Sequence, residues 1–167
     1  MRRMRRRIRS PLVVICAVVG LIACAAGPSL ASTAQAKTAI ARDYATLFDF
    51  ANANVAAKTA VIQDGRALRQ ALTQALSSSL AKEAGGAKVL SVHLRSASAC
   101  RQAALPSPCA EVTYELLSPS QTPLFPTPSS GYAVYIQRHW LVAKSTICGL
   151  LELFYSTSGH HGSPPGC

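Results

Sequence analysis

The apolar period of this chain changes at Gly85-Gly86, and that change decides the fold class. Before it, large apolar residues recur every three or four positions; after it they recur every second position. Ile40, Tyr44, Leu47 and Phe48 share one face of a first helix, which Asn52 and Asn54 interrupt. A short second helix is predicted from Val55 to Gln63, with Asp64-Gly65 stopping it. The third, from Arg66 to about Lys82, places Leu68, Leu72, Leu76 and Leu80 four apart and ends at the glycine pair.

Beyond the glycines, Leu90, Val92 and Leu94 alternate with Ser91, His93 and Arg95. Val112, Tyr114 and Leu116 alternate with Glu111, Thr113 and Glu115; Tyr132, Val134 and Ile136 form a third set. Trp140 to Ile147 reads as a fourth strand, and Gly149 to Tyr155 as a short closing helix. One apolar face per strand is what antiparallel strands over a single core require. Pro119, Pro123, Pro126 and Pro128 keep the segment 118–130 from being a paired strand throughout. Helices followed by strands predict an α+β domain, three N-terminal helices packed on one side of a curved four-stranded antiparallel sheet.

The N-terminus carries different information. Arg2, Arg3, Arg5, Arg6, Arg7 and Arg9 precede an apolar run from Pro11 to Ala26, the pattern of an export signal. The run is shorter than the ~20 residues that a membrane-spanning helix needs. Leu21-Ile22-Ala23-Cys24 resembles a lipobox, which would make Cys24 the lipidated first residue of the mature chain. A leader peptidase cutting after Ala31 or Ala36 is the alternative. The resulting division is an export signal over 1–23, a flexible Ala/Ser/Thr-rich stalk over 24–37 and one domain over 38–167. The destination is the outer face of the cell membrane, lipid-anchored, or the medium. Without the six leader arginines, 11 Lys and Arg face 7 Asp and Glu, a net charge of only +4. Those cations are scattered and not interleaved with aromatics, so the expected partners include no nucleic acid.

With Cys16 in the apolar run and Cys24 lipidated or removed, four cysteines remain, an even number in an oxidising compartment. Their spacing is too wide for a zinc site, and no metal or cofactor is expected. Cys100 and Cys109 flank a loop holding Pro106 and Pro108, which predicts a bridge across a hairpin mouth. Cys148 and Cys167 would then tie the tail over the closing helix. The other two pairings, Cys100–Cys148 with Cys109–Cys167 and Cys100–Cys167 with Cys109–Cys148, need that mouth to lie against the closing helix.

Several segments carry a family resemblance. They are Leu47-Phe48, then Val55-Ala56-Ala57-Lys58 leading to Val61-Ile62-Gln63-Asp64-Gly65, and Trp140 to Ile147 running into Cys148-Gly149-Leu150-Leu151. Over roughly Thr38 to Tyr155 the chain resembles the mycobacterial low-molecular-weight antigen family, exported proteins with a nuclear-transport-factor-2 (cystatin-like) fold. Gln137-Arg138-His139 departs from that family's usual glycine turn. The resemblance implies the fold and an exported location, and brings no assigned reaction with it.

A fold of that type often leaves a cavity between sheet and helices. The expected function is therefore non-catalytic binding of a small apolar ligand there, or of an envelope protein partner. The alternative is an isomerase or dehydratase, which needs a buried carboxylate or His as base and phenol or acid donors for the oxyanion. Asp43, Asp49, His93, Tyr44, Tyr114 and Tyr135 are the available residues, with Asp49, Tyr44 and Tyr114 the candidates for the cavity wall. Trp140 is expected in the core, and His160-His161 in a solvated tail.

Overall fold

The computed structural model describes residues 30–159 and 162–167. The leader, Cys24 and His160-His161 lie outside the described residues. The elements run α1 (Leu30–Leu47), α2 (Val55–Ala60), α3 (Arg69–Leu76), α4 (Ser79–Glu83), β1 (Gly86–Leu94) and α5 (Ala97–Gln102). They continue with β2 (Cys109–Leu117), β3 (Ser129–Ile136), β4 (His139–Val142) and α6 (Lys144–Thr157). The α+β class holds: helices precede a curled antiparallel sheet of order β1-β2-β3-β4. Among the described residues four helices, not three, precede the sheet. Ser77 and Ser78 turn their hydroxyls onto the Gln74 and Ala75 carbonyls, and Ser78 then caps α4 by accepting from the Ala81 amide. Hydroxyls competing for backbone in this way split a helix.

Three boundaries move for stated reasons. The stretch 24–37, read as a stalk, is helical from Leu30, and Ala36 is buried. Val61 to Gln63 leave α2 to cover the free edge of β4. There Val142 donates its amide to the Val61 carbonyl, and Gln63 donates to the Val142 carbonyl, each at 2.9 Å. The fourth strand stops at Val142, because Ile147, Leu151 and Phe154 sit at helical spacing and α6 buries all three. The β-branched Val142, Thr146 and Ile147 disguised the start of that helix.

The alternation of β2 is as expected: Val112, Tyr114 and Leu116 are buried, and the residues between them only partly so. In β1 the register shifts between Val89 and Ser91. The bulge turns Leu90 outward, 43% exposed, and leaves Val92 buried with Val89 partly buried beside it; Leu94, 41% exposed, is the last residue of the strand. Reading those two leucines as core was wrong. Helices also occupy both faces of the sheet. The main core joins α1, α3 and α6 to Val92, Val112 and Tyr114. On the other face, Cys100 of α5 packs with Leu105, Cys109 and Val134.

Both disulfides pair as the spacing predicts, Cys100–Cys109 and Cys148–Cys167. Cys100 lies in α5 rather than at the end of a strand. The tail docks tightly, with Pro164 buried. A side chain on Gly166 would run into the Ala67 carbonyl at 2.2 Å, and its φ of +88° suits glycine.

Candidate functional site

The space expected to form a cavity is filled. Tyr44 of α1 and Phe48, just past its end, both meet Tyr114 of β2, with ring centroids 5.2 and 5.3 Å away. The apolar gap left between Phe48, Phe50, Leu72 and Phe154 is only 30 Å³, far below the size of a ligand cavity. Tyr44 donates its hydroxyl to the Tyr132 carbonyl at 3.1 Å. Thr146 accepts from the Tyr132 amide at 2.7 Å. Gly131 lets these groups converge, since a Cβ there would lie 2.8 Å from Tyr44 Oη and 2.5 Å from Thr146 Cγ2. Burial pushes both phenols, Tyr44 and Tyr114, above the usual tyrosine range.

The polar candidates therefore do not share one site. Asp49 and His93 are exposed, and Tyr135 stands at the surface. Asp49 sits just past the end of α1, where its side chain reaches water. Tyr44 belongs to the ring stack and Tyr114 lies under it. Asp43, one residue before Tyr44, points elsewhere: its side chain is only 10% exposed and lines a groove of 520 Å³.

That groove runs between α1 and the β3–β4 hairpin. Ala39, Arg42 and Asp43 form one wall, Ala60 and Val61 the floor, and Gln137 to Leu141 the other wall. Trp140, expected in the core, is half-buried here and tilted against Tyr135 at 5.3 Å. Burial raises the Asp43 carboxyl to about 6, opposed by the nearby charges of Arg42 and His139. Arg42 Nε stands 3.9 Å from it, and among the described residues no hydrogen bond reaches the carboxylate.

The hairpin turn departs from the glycine pattern in an informative way. It is neither long nor bulged. Tyr135 pairs with Trp140 and Ile136 with His139, leaving Gln137 and Arg138 as a two-residue turn. Both adopt positive φ, 49° and 68°. Such turns favour Asn and Gly because each ordinary side chain in this region costs roughly 1–2 kcal/mol.

One functional group escaped the sequence altogether. Lys58 reads as the basic end of an exposed helix, yet it is 2% exposed. Its ammonium donates to the carbonyls of Asp49, Leu47 and Thr46 at 2.6, 2.9 and 3.3 Å, closing the C-terminus of α1. Burial pulls it below the ordinary lysine range, while the Asp49 charge pulls the other way. The only available signal was its position one short loop after a helix with no basic residue in its last turn.

Among the described residues no group of three or more His, Cys, Asp or Glu is placed to hold a metal, and no helix is long and apolar enough to cross a membrane. Residues 33–158 match the family model described as low molecular weight antigen MTB12, C-terminal domain. No curated protein and no solved structure matches the chain significantly.

Proposed function

Because the chain belongs to the low molecular weight antigen MTB12 family, we propose that it is an exported envelope protein that acts by binding at its surface. The arginine-rich leader, the lipobox ending at Cys24 and the two disulfides support export, with lipid attachment at Cys24 as the anchor. We read the curled sheet and its helices as a variant of the nuclear-transport-factor-2 arrangement whose usual cavity is packed with rings. Binding of a small apolar ligand inside is set aside for that reason, and the groove beside Asp43 takes its place.

The observation that carries this reading is the pairing of Asp43, whose largely buried carboxylate opens only to the groove, with a half-buried Trp140 in one groove of ligand size. Native mass spectrometry of envelope-purified protein tests it. A co-purifying mass is expected on the wild type and not on folded Trp140→Ala or Asp43→Ala protein. A bound mass that persists unchanged in both variants would remove the groove from consideration.

A second reading, the isomerase or dehydratase, draws on one specific observation. Burial raises the Asp43 carboxyl to about 6, toward the range of a general base, with His139 close enough to influence it. It lacks the phenol partner expected of such a site, since Tyr44 faces the core. A co-purified compound that isomerises or loses water on the protein, and not on Asp43→Asn, would favour this reading over simple binding.

A further inference from the structure

Resting on the reading of this groove as the binding surface, we propose that its ligand is a pyranose sugar, free or at the end of a glycan. Asp43 lacks a protein donor. Its side chain is nine-tenths buried and takes no hydrogen bond from the described residues, so its oxygens meet only what enters the groove, water or a ligand. Arg42 at 3.9 Å is beyond hydrogen-bond reach, so a ligand in the groove can offer Asp43 donors that only water otherwise supplies.

The rest of the lining narrows what brings them. Asp43 only accepts; Arg42 and Arg138 only donate; Gln137 does both. An alkyl amine would satisfy Asp43 but meet two guanidinium groups. A simple carboxylate would suit the arginines and be repelled by Asp43. An apolar ligand would leave Asp43 as it is. Vicinal hydroxyls each donate and accept, and so answer all four side chains.

Trp140 supplies the remaining requirement. Its indole lines the same groove, braced by Tyr135. A pyranose has an apolar C–H face that packs on an aromatic ring while its hydroxyls turn to the rim. The groove volume of 520 Å³ lies within the range of small-ligand sites.

The turn fits the same picture. Gln137 and Arg138 occupy conformations that glycine or asparagine would adopt at less cost. What the strain secures is two hydrogen-bonding side chains at the rim, next to His139 and Trp140.

Trp140 is the sole tryptophan of the chain, so its fluorescence reports on the groove directly. The exported protein is titrated with glucose, mannose, galactose and glucuronate, and with acetate, butylamine and decanoate as non-sugar probes. A saturable change is expected with at least one pyranose at millimolar concentration, weakened about tenfold by Asp43→Asn. Gln137→Gly should raise the unfolding temperature and weaken sugar binding together, which a purely structural turn would not do. It also keeps the test informative should Asp43→Asn fold poorly. A sugar response untouched by both variants overturns the proposal. If decanoate moves Trp140 and no sugar does, the sugar assignment falls while the groove remains a binding surface. If no probe moves it, both fall.

Discussion

Lys58 Nζ donates to the Leu47 carbonyl at 2.9 Å, from a helix that begins eight residues after α1 has ended. The same ammonium reaches the Asp49 and Thr46 carbonyls and lies 5.9 Å from the centre of the Phe50 ring. A helix terminus usually meets water or a glycine cap. Here one buried cation satisfies it and fixes the angle at which α2 leaves α1.

Removing that cation should be among the most damaging single changes. Lys58→Met keeps the stem and strips three carbonyls of their donor. A loss of roughly 2–4 kcal/mol is expected, since each abandoned buried acceptor costs about 1–3 kcal/mol and some will find water. Urea unfolding of wild type and variant measures it. A Lys58→Met protein as stable as wild type would mean that water serves the helix end equally well.

Gly131 should tolerate no side chain. Gly131→Ala pushes a methyl group against Tyr44 Oη and Thr146 Cγ2, both held by hydrogen bonds to Tyr132. Overpacking of this kind costs about 1–3 kcal/mol. Tyr44→Phe alone should lose about 1 kcal/mol for its hydrogen bond to the Tyr132 carbonyl. Thermal unfolding of the two single variants gives the comparison, with Gly131→Ala expected to be the worse.

The stability should depend on pH through Asp43. Its folded value, about 6, lies above the ordinary 3.8, so the folded state binds this proton more tightly than the unfolded state. The contribution is fully present below pH 3.8 and is lost as pH rises through about 6. Asp43→Asn should remove that slope and stabilise the protein at pH 7 by roughly 1–3 kcal/mol, a shift of one pKa unit being about 1.4 kcal/mol. Melting curves from pH 4 to 8 decide it; parallel profiles for the two proteins would contradict the burial of this carboxyl.

The disulfides close short loops, of sequence separation 9 and 19. Loop-closure entropy assigns each about 3 kcal/mol, slightly more to the longer. Peptide mapping without reductant should yield Cys100 linked to Cys109, and Cys148 to Cys167. Replacing Cys148 with Ser should free the tail from Ala67 and expose Pro164, which limited proteolysis near residue 162 would register.

On the exported form, intact mass should begin at or after Cys24. A lipid adduct there, and release from membranes by Cys24→Ala, are the expected results. A mass retaining the arginine-rich leader would refute both processing routes.

Period and punctuation carried much of this fold into the sequence. Val112, Tyr114 and Leu116 alternate without interruption, and their burial follows. Leu90 alternates equally well, but a bulge is a property of two strands in register and leaves no mark in one. The run Val142 to Ile147 suited either state, and only the docking of Ile147 beside Leu151 and Phe154 chose helix. The site was less legible still. Asp43 was visible as a helical acid, but adjacent helix positions point in different directions, and nothing local said that Tyr44 would turn inward while Asp43 met Trp140. Lys58 was invisible for the opposite reason: its partners are backbone carbonyls, which have no letter in the sequence.

The packing of α1 on both outer strands, β1 and β4, has a consequence in time. The first helix of the chain finds part of its seat only when His139 to Val142 arrive, almost the whole domain later. Contacts so distant along the chain pay their loop-closure entropy before they return any burial, which makes folding slow. A chain leaving the cell N-terminus first would stay open while most of it threads the translocation channel, and would close only when the last strand emerges. Neither disulfide can trap it earlier, since both link neighbours within the C-terminal half of the chain.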